Sequence, residues 1–130
     1  MYKRQDLHPR LRTLAAQFVD RCAARGVRVL IYMTYRSAAE QDALYAKGRT
    51  APGPRVTNAR GGQSKHNATV DGQPAARAFD CCPTDDAGRP IWAGEHPHWK
   101  IMAEAGKSLG LVWGGDWKTL KDKPHFELAD

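Results

Sequence analysis

The chain has little that would staple, anchor or extend it. It carries three cysteines, Cys22, Cys81 and Cys82. That odd, sparse count excludes a disulfide framework and fits synthesis in a reducing cytoplasm. The vicinal Cys81-Cys82 pair reads as buried apolar thiols rather than as a metal or redox pair. No apolar run approaches the roughly 20 residues that span a bilayer, which excludes a transmembrane helix. The N-terminal stretch from Met1 to Pro9 is basic, yet no apolar segment follows it, so no secretory signal is expected. Internal repeats and low-complexity tracts are also missing. Asp plus Glu number 14 against 20 Lys plus Arg, a net charge of +6. A basic balance favours an acidic partner, whether nucleic acid, anionic membrane or anionic cell wall, without choosing among them.

What is present is ordinary for a globular protein: 130 residues, 42% hydrophobic and 26% charged. This excludes a disordered or collagen-like chain and predicts one compact domain over residues 1–130. Leu11, Leu14, Ala15, Phe18, Val19 and Cys22 form a helical stripe that Gly26 ends. Val27 to Met33 is rich in β-branched residues and reads as a strand. Ser37 and Glu40 form a capping box for a helix through Leu44 and Tyr45 that stops at Gly48. Gly48 to Gln63, rich in Gly, Pro and Arg, is a long loop of the kind that is more often functional than idle. Asp71-Gly72 is a turn pair. Ala76 to Cys82 reads as a short strand and Pro83 to Pro90 as a loop. A helix starts at Pro97, buries Trp99, Met102, Ala103, Gly106 and Leu109, and ends at Gly110. Leu111 to Trp113 is strand-like. Pro124 to Leu128 alternates, with His125 and Glu127 on one face. The expected class is α+β, with an antiparallel sheet packed against helices.

Three features carry chemistry. Ser64-Lys65-His66-Asn67 follows the glycine-rich loop. Asp80 is a carboxylate in an apolar strand, where it needs a cation or strong donors. Asp122 and His125 lie three residues apart across a proline turn. Singly, each has a plain structural explanation: a satisfied histidine, an ion pair, surface polarity. Together, His66, Asp80 and His125 supply two imidazoles and one carboxylate, the ligand set of a catalytic Zn²⁺ with its fourth position open. Asp122 is placed to act as general base without ligating.

These residues resemble the zinc peptidases of the D-Ala-D-Ala dipeptidase and D,D-carboxypeptidase type. More closely, they resemble the phage-endolysin branch, the L-alanyl-D-glutamate endopeptidases of peptidoglycan. The matching motifs are Ser64-Lys-His66, Ala78-Phe-Asp80 and Asp122-Lys-Pro-His125. Tyr35-Arg36-Ser37, the Gln41-x-x-Leu44-Tyr45-x-x-Gly48-Arg49-Thr50 run and Trp113-Gly-Gly-Asp-Trp117 accompany them. Together they run from about Leu30 to Glu127. Two departures stand out. His66 and Asp80 lie fourteen residues apart, farther than in the shortest members, so a small hairpin is expected between them. Asp71 competes as ligand there but is read as a turn residue. Asp122 also stands where related dipeptidases carry Glu, one methylene longer.

The resemblance implies one catalytic Zn²⁺ on His66, Asp80 and His125. It implies a zinc-bound water as nucleophile, with Asp122 as general base and Arg36 stabilising the oxyanion. It assigns Ser64, Gln41, Arg49 and Thr50 to substrate binding, although Ser64 also reads as a turn hydroxyl and Tyr45 as core. Asp116 either orients a ligand imidazole or caps a turn. Trp113 and Trp117 read as core rather than as a substrate platform. Arg49, Arg55, Arg60 and Lys65 are candidates for reading carboxylates of the peptidoglycan stem peptide.

The expected activity is therefore hydrolysis of the L-Ala–D-Glu bond of peptidoglycan by a single module with no separate wall-binding domain. It would act as a monomer, with no nucleic-acid partner and no stable membrane insertion. The endolysin likeness implies synthesis in a host cytoplasm and action on the wall after release. A D,D-carboxypeptidase or dipeptidase on D-Ala-D-Ala, and a non-catalytic peptidoglycan binder, remain as alternatives.

Overall fold

The computed structural model describes residues 3–130. Met1 and Tyr2, which open the basic N-terminal stretch, lie outside the described residues. Helix α1 spans Pro9–Ala24, with Pro9 in its first turn and the His8 imidazole accepting from the Arg10 amide. Leu11, Ala15, Phe18 and Cys22 form its buried stripe, the face read from the sequence. Strand β1 follows at Arg28–Met33. Helix α2, Ala38–Ala46, carries the expected capping box in full: Ser37 accepts from the Glu40 amide while Glu40 accepts from the Ser37 amide. Helix α3 spans Pro97–Ser108.

The main sheet is antiparallel with order β1-β4-β6-β5. Strand β4 is Ala78–Thr84, β5 is Val112–Trp113 and β6 is His125–Glu127. A separate hairpin, β2 Thr69–Val70 with β3 Gln73–Pro74, fills the interval between His66 and Asp80. Its turn places Asp71 at φ 52° and Gly72 at φ 77°. Both central residues are left-handed, as a two-residue type I′ hairpin requires. Asp71 is thus a turn residue, as read.

Strand β4 runs two residues past the expected end at Cys82 and includes Pro83, where the turn-rich sequence from Pro83 to Pro90 predicts a loop. The Pro83 carbonyl accepts from the Ile91 amide at 2.9 Å. Its missing N–H faces that same side, away from β1, so no ladder bond to β1 is lost. Ala76, expected to start the strand, instead lies beside the N-terminal segment. Its amide donates to Asp6 and its carbonyl accepts from the His8 amide, both at 2.8 Å.

The core lies between the helices and one sheet face. Phe18 of α1 packs on Phe79 of β4 and Phe126 of β6, with ring centroids 4.8–5.8 Å apart across the three pairs. Burying each such ring stabilises the fold by about 1.5–3 kcal/mol. A Cβ on Gly106 would lie 2.4 Å from the Phe126 ring, so only glycine lets α3 approach the sheet there. All three cysteines are free and buried, and burial raises the Cys81 thiol far above its ordinary value. Among the described residues, no helix is long and apolar enough to cross a membrane.

Candidate metal centre

Strand periodicity turns Phe79 and Phe126 to the core and places Asp80 and His125 on the opposite face. The register pairs Asp80 directly with His125. Two adjacent strands thus present a carboxylate and an imidazole side by side. The third group comes from the turn Lys65–Asn67, whose cap is Ser64. Here His66 is held by the residues around Arg36. The Arg36 amide donates to the His66 carbonyl at 2.9 Å, and the Asn67 amide group donates to the Arg36 carbonyl at 2.7 Å.

His66, Asp80 and His125 are all buried, and one ligand atom from each lies within 4.8 Å of the others. His66 Nε2 is 3.1 Å and His125 Nδ1 is 3.3 Å from the same Asp80 oxygen. The outer nitrogen of each ring has its own partner. His66 Nδ1 donates to the Thr34 carbonyl at 2.7 Å. His125 Nε2 meets a Glu127 oxygen at 2.7 Å. With those outer N–H bonds made, the inner nitrogens, which face Asp80, are the ones left to ligate a metal. Two imidazoles and a carboxylate, converging and buried, fit a Zn²⁺ ion, which binds imidazole in its neutral form.

Burial would raise the Asp80 carboxyl, but hydrogen bonds and charge from His125 and His66 outweigh it and hold it far below its usual range. Burial would likewise lower His125, but hydrogen bonds to Asp80 and Glu127 raise it to about 9. Asp122 sits at the rim, its side chain 43% exposed and 4.0 Å from His125 Nδ1. Burial first, then the Asp80 charge, raises its carboxyl. Gly114 makes this approach feasible, because a Cβ there would lie 2.4 Å from the Asp122 carbonyl oxygen.

These groups open into a cavity of about 980 Å³ lined also by Arg36, Gln41 and Ser64. Arg36 Nη2 is 3.5 Å from Asp80, and Nη1 donates to Gln41 at 3.0 Å. Gln41 is 1% exposed and its amide donates to the Ala59 carbonyl at 2.9 Å. It ties Arg36 to the long loop and has little surface to offer a ligand. Ser64 accepts from the His66 amide at 3.2 Å. Arg49 and Thr50 are not in the cavity wall. The Arg49 guanidinium lies 3.9 Å over the Tyr45 ring and donates to the Tyr45 and Thr57 carbonyls. Thr50 packs its amide onto the Ala46 carbonyl.

Other expectations were redistributed. Arg60 also lies over Tyr45, whereas Arg55 lines the cavity. Lys65 is engaged by Glu127 at 2.9 Å. Asp116 reaches no imidazole; it pairs with Lys107 at 2.8 Å on the surface. Trp117, read as core, lines the cavity with its ring centroid 4.9 Å from that of His125. Trp113 does pack against the core and donates its indole N–H to Lys123. Glu127 was missed as a site residue, although its i, i+2 spacing from His125 on one strand face is the signal that finds it.

Known proteins resemble this chain in sequence and in fold. The pattern of the D-alanyl-D-alanine carboxypeptidase family matches residues 57–128, which include all three clustered residues and Asp122. The chain is 39% identical to the peptidoglycan L-alanyl-D-glutamate endopeptidase CwlK of Bacillus subtilis, over 95% of this chain and 74% of that protein. It is 28% identical to the L-alanyl-D-glutamate peptidase of Listeria phage A118, over 88% of this chain but only 35% of the phage protein. The crystal structure of the Serratia marcescens L-Ala D-Glu endopeptidase ChiX shares the fold, with a TM-score of 0.60 over 97% of this chain and 83% of that one at 24% identity. The chain therefore belongs to the D-alanyl-D-alanine carboxypeptidase family of metallopeptidases.

Proposed function

We propose that this protein is a zinc-dependent endopeptidase that hydrolyses the L-Ala–D-Glu bond of the peptidoglycan stem peptide. The observation that carries the reading is the convergence of His66, Asp80 and His125 at the floor of a cavity that also holds Asp122 and Arg36. The names of the relatives from Bacillus subtilis and the Listeria phage support the choice of bond.

His66, Asp80 and His125 would hold the ion, whose bound chemistry is Lewis-acid polarisation of the scissile carbonyl and activation of water. Asp122 takes the proton from the attacking water and delivers it to the leaving amine. Its raised carboxyl makes it a stronger base than a free aspartate. Arg36 donates to the carbonyl oxygen as negative charge develops there. Its bond to Gln41 holds the guanidinium in place before substrate arrives, so little reorganisation is needed at the moment of reaction. Arg55 with Lys118 and Lys121, which also line the cavity, would meet the free carboxylates of the stem peptide. Ser64 lines the same cavity.

The family description favours a second reading, release of a terminal D-Ala. Mass spectrometry of digested muropeptides separates the two. New L-Ala C-termini and D-Glu N-termini are expected. Free D-Ala without them would overturn the endopeptidase assignment.

A further inference from the structure

The two imidazoles of the centre are oriented by unlike groups. His66 gives its outer N–H to the neutral Thr34 carbonyl. His125 gives its outer N–H to the Glu127 carboxylate at 2.7 Å. The other Glu127 oxygen, Oε2, takes the Lys65 ammonium at 2.9 Å, with side-chain exposures of only 16% and 29%. Lys65 also donates to the Leu128 carbonyl. Lys65 directly precedes one candidate ligand and Glu127 follows the other by two residues, so the pair bridges the two segments that carry the histidines.

We propose that Glu127 is a positioning residue for the metal, and that Lys65 holds it in place. An anionic acceptor on Nε2 fixes His125 as an Nδ1 donor and raises the basicity of that nitrogen. A neutral carbonyl does the first for His66 but less of the second. The Lys65 contact holds Glu127 against rotation into the cavity, where a free carboxylate would swing toward the ion or the substrate. The ion pair also sets the spacing between the turn that bears His66 and the strand that bears His125. Lys65 is thereby committed to the scaffold rather than to substrate carboxylates. This inference rests on the reading that His66, Asp80 and His125 hold a metal.

The test is zinc affinity, read by competition with a chromophoric chelator on the wild type, Glu127→Gln, Glu127→Ala and Lys65→Ala. Circular dichroism and thermal midpoint, measured in chelator, report the fold. Glu127→Ala should weaken zinc binding about 10–100-fold. Glu127→Gln keeps an acceptor for the imidazole N–H but loses the charge, so it should fall between wild type and alanine. Lys65→Ala should weaken binding less than Glu127→Ala. If alanine destroys the fold, the near-isosteric glutamine variant decides the matter. Wild-type zinc affinity in folded Glu127→Gln would overturn the role of the carboxylate. Failure of the wild type itself to bind zinc would instead remove the metal reading beneath it.

Discussion

The two walls of the cavity are held by different physics. One wall is the sheet, where Asp80 and His125 stand on paired strands whose reverse side carries Phe79 and Phe126 packed on Phe18. The other is residues 48–63, which form no regular element beyond an isolated bridge. Polar side chains hold that wall. Gln41 binds the Ala59 carbonyl, Arg49 binds the Tyr45 and Thr57 carbonyls, and Asp42 accepts from the Gly61 amide. Hydrophobic burial and a backbone ladder fix one side. Single hydrogen bonds worth about 0.5–1.5 kcal/mol each fix the other. The candidate metal ligands sit on or beside the first wall, and Arg36, proposed to meet the substrate, is fastened through Gln41 to the second.

That contrast can be broken one wall at a time. On the sheet wall, Asp122→Asn should lower kcat about 10²–10⁴-fold while zinc content stays that of the wild type. Phe126→Ala should cost about 3–5 kcal/mol of stability in denaturant titration and take zinc binding with it, because the same strand carries His125. On the loop wall, Gln41→Ala frees Arg36 and leaves the Ala59 carbonyl unpaired. A loss of about 1–3 kcal/mol is expected, with reduced kcat and unchanged zinc content. Arg49→Ala should cost about 1 kcal/mol and leave kcat close to wild type, since its guanidinium is bound to the loop rather than to the cavity.

A pH experiment sharpens the comparison further. His125 is raised to about 9, above the value of about 6.5 for an exposed histidine. In chelator-treated protein its contribution to stability is full below pH 6.5 and is lost as pH rises toward 9. The thermal midpoint of that protein should fall across this range. A flat or rising midpoint would contradict the assigned contacts.

Much of the sheet wall was legible in the sequence because its signals are local. Strand alternation put Phe126 and His125 on opposite faces, the Ser37–Glu40 box opened α2, and Asp71-Gly72 announced the hairpin between His66 and Asp80. The donor chemistry of zinc points to His66, Asp80 and His125 in the sequence, and the fold brings the three together. The loop wall was less legible. Arg49 and Gln41 read as substrate contacts because motif position says nothing about which carbonyl a side chain reaches. Their partners lie 4 to 18 residues away across an irregular loop, and no periodicity encodes that. Trp117, read as core, lines the cavity for a related reason, while Asp116 pairs with Lys107 at the surface. The turn Gly114–Asp116 decides which of two neighbouring residues faces the cavity, and composition does not.

In the proposed reaction, one ion held by His66, Asp80 and His125 drives cleavage of the stem peptide. This is tested most directly by stripping the protein with chelator and titrating zinc back, following peptidoglycan cleavage and bound metal together, beside His66→Ala. Cleavage should vanish on stripping, return in step with one equivalent of zinc, and stay absent in the folded variant. Cleavage that persists in the stripped protein, or in His66→Ala, would contradict it.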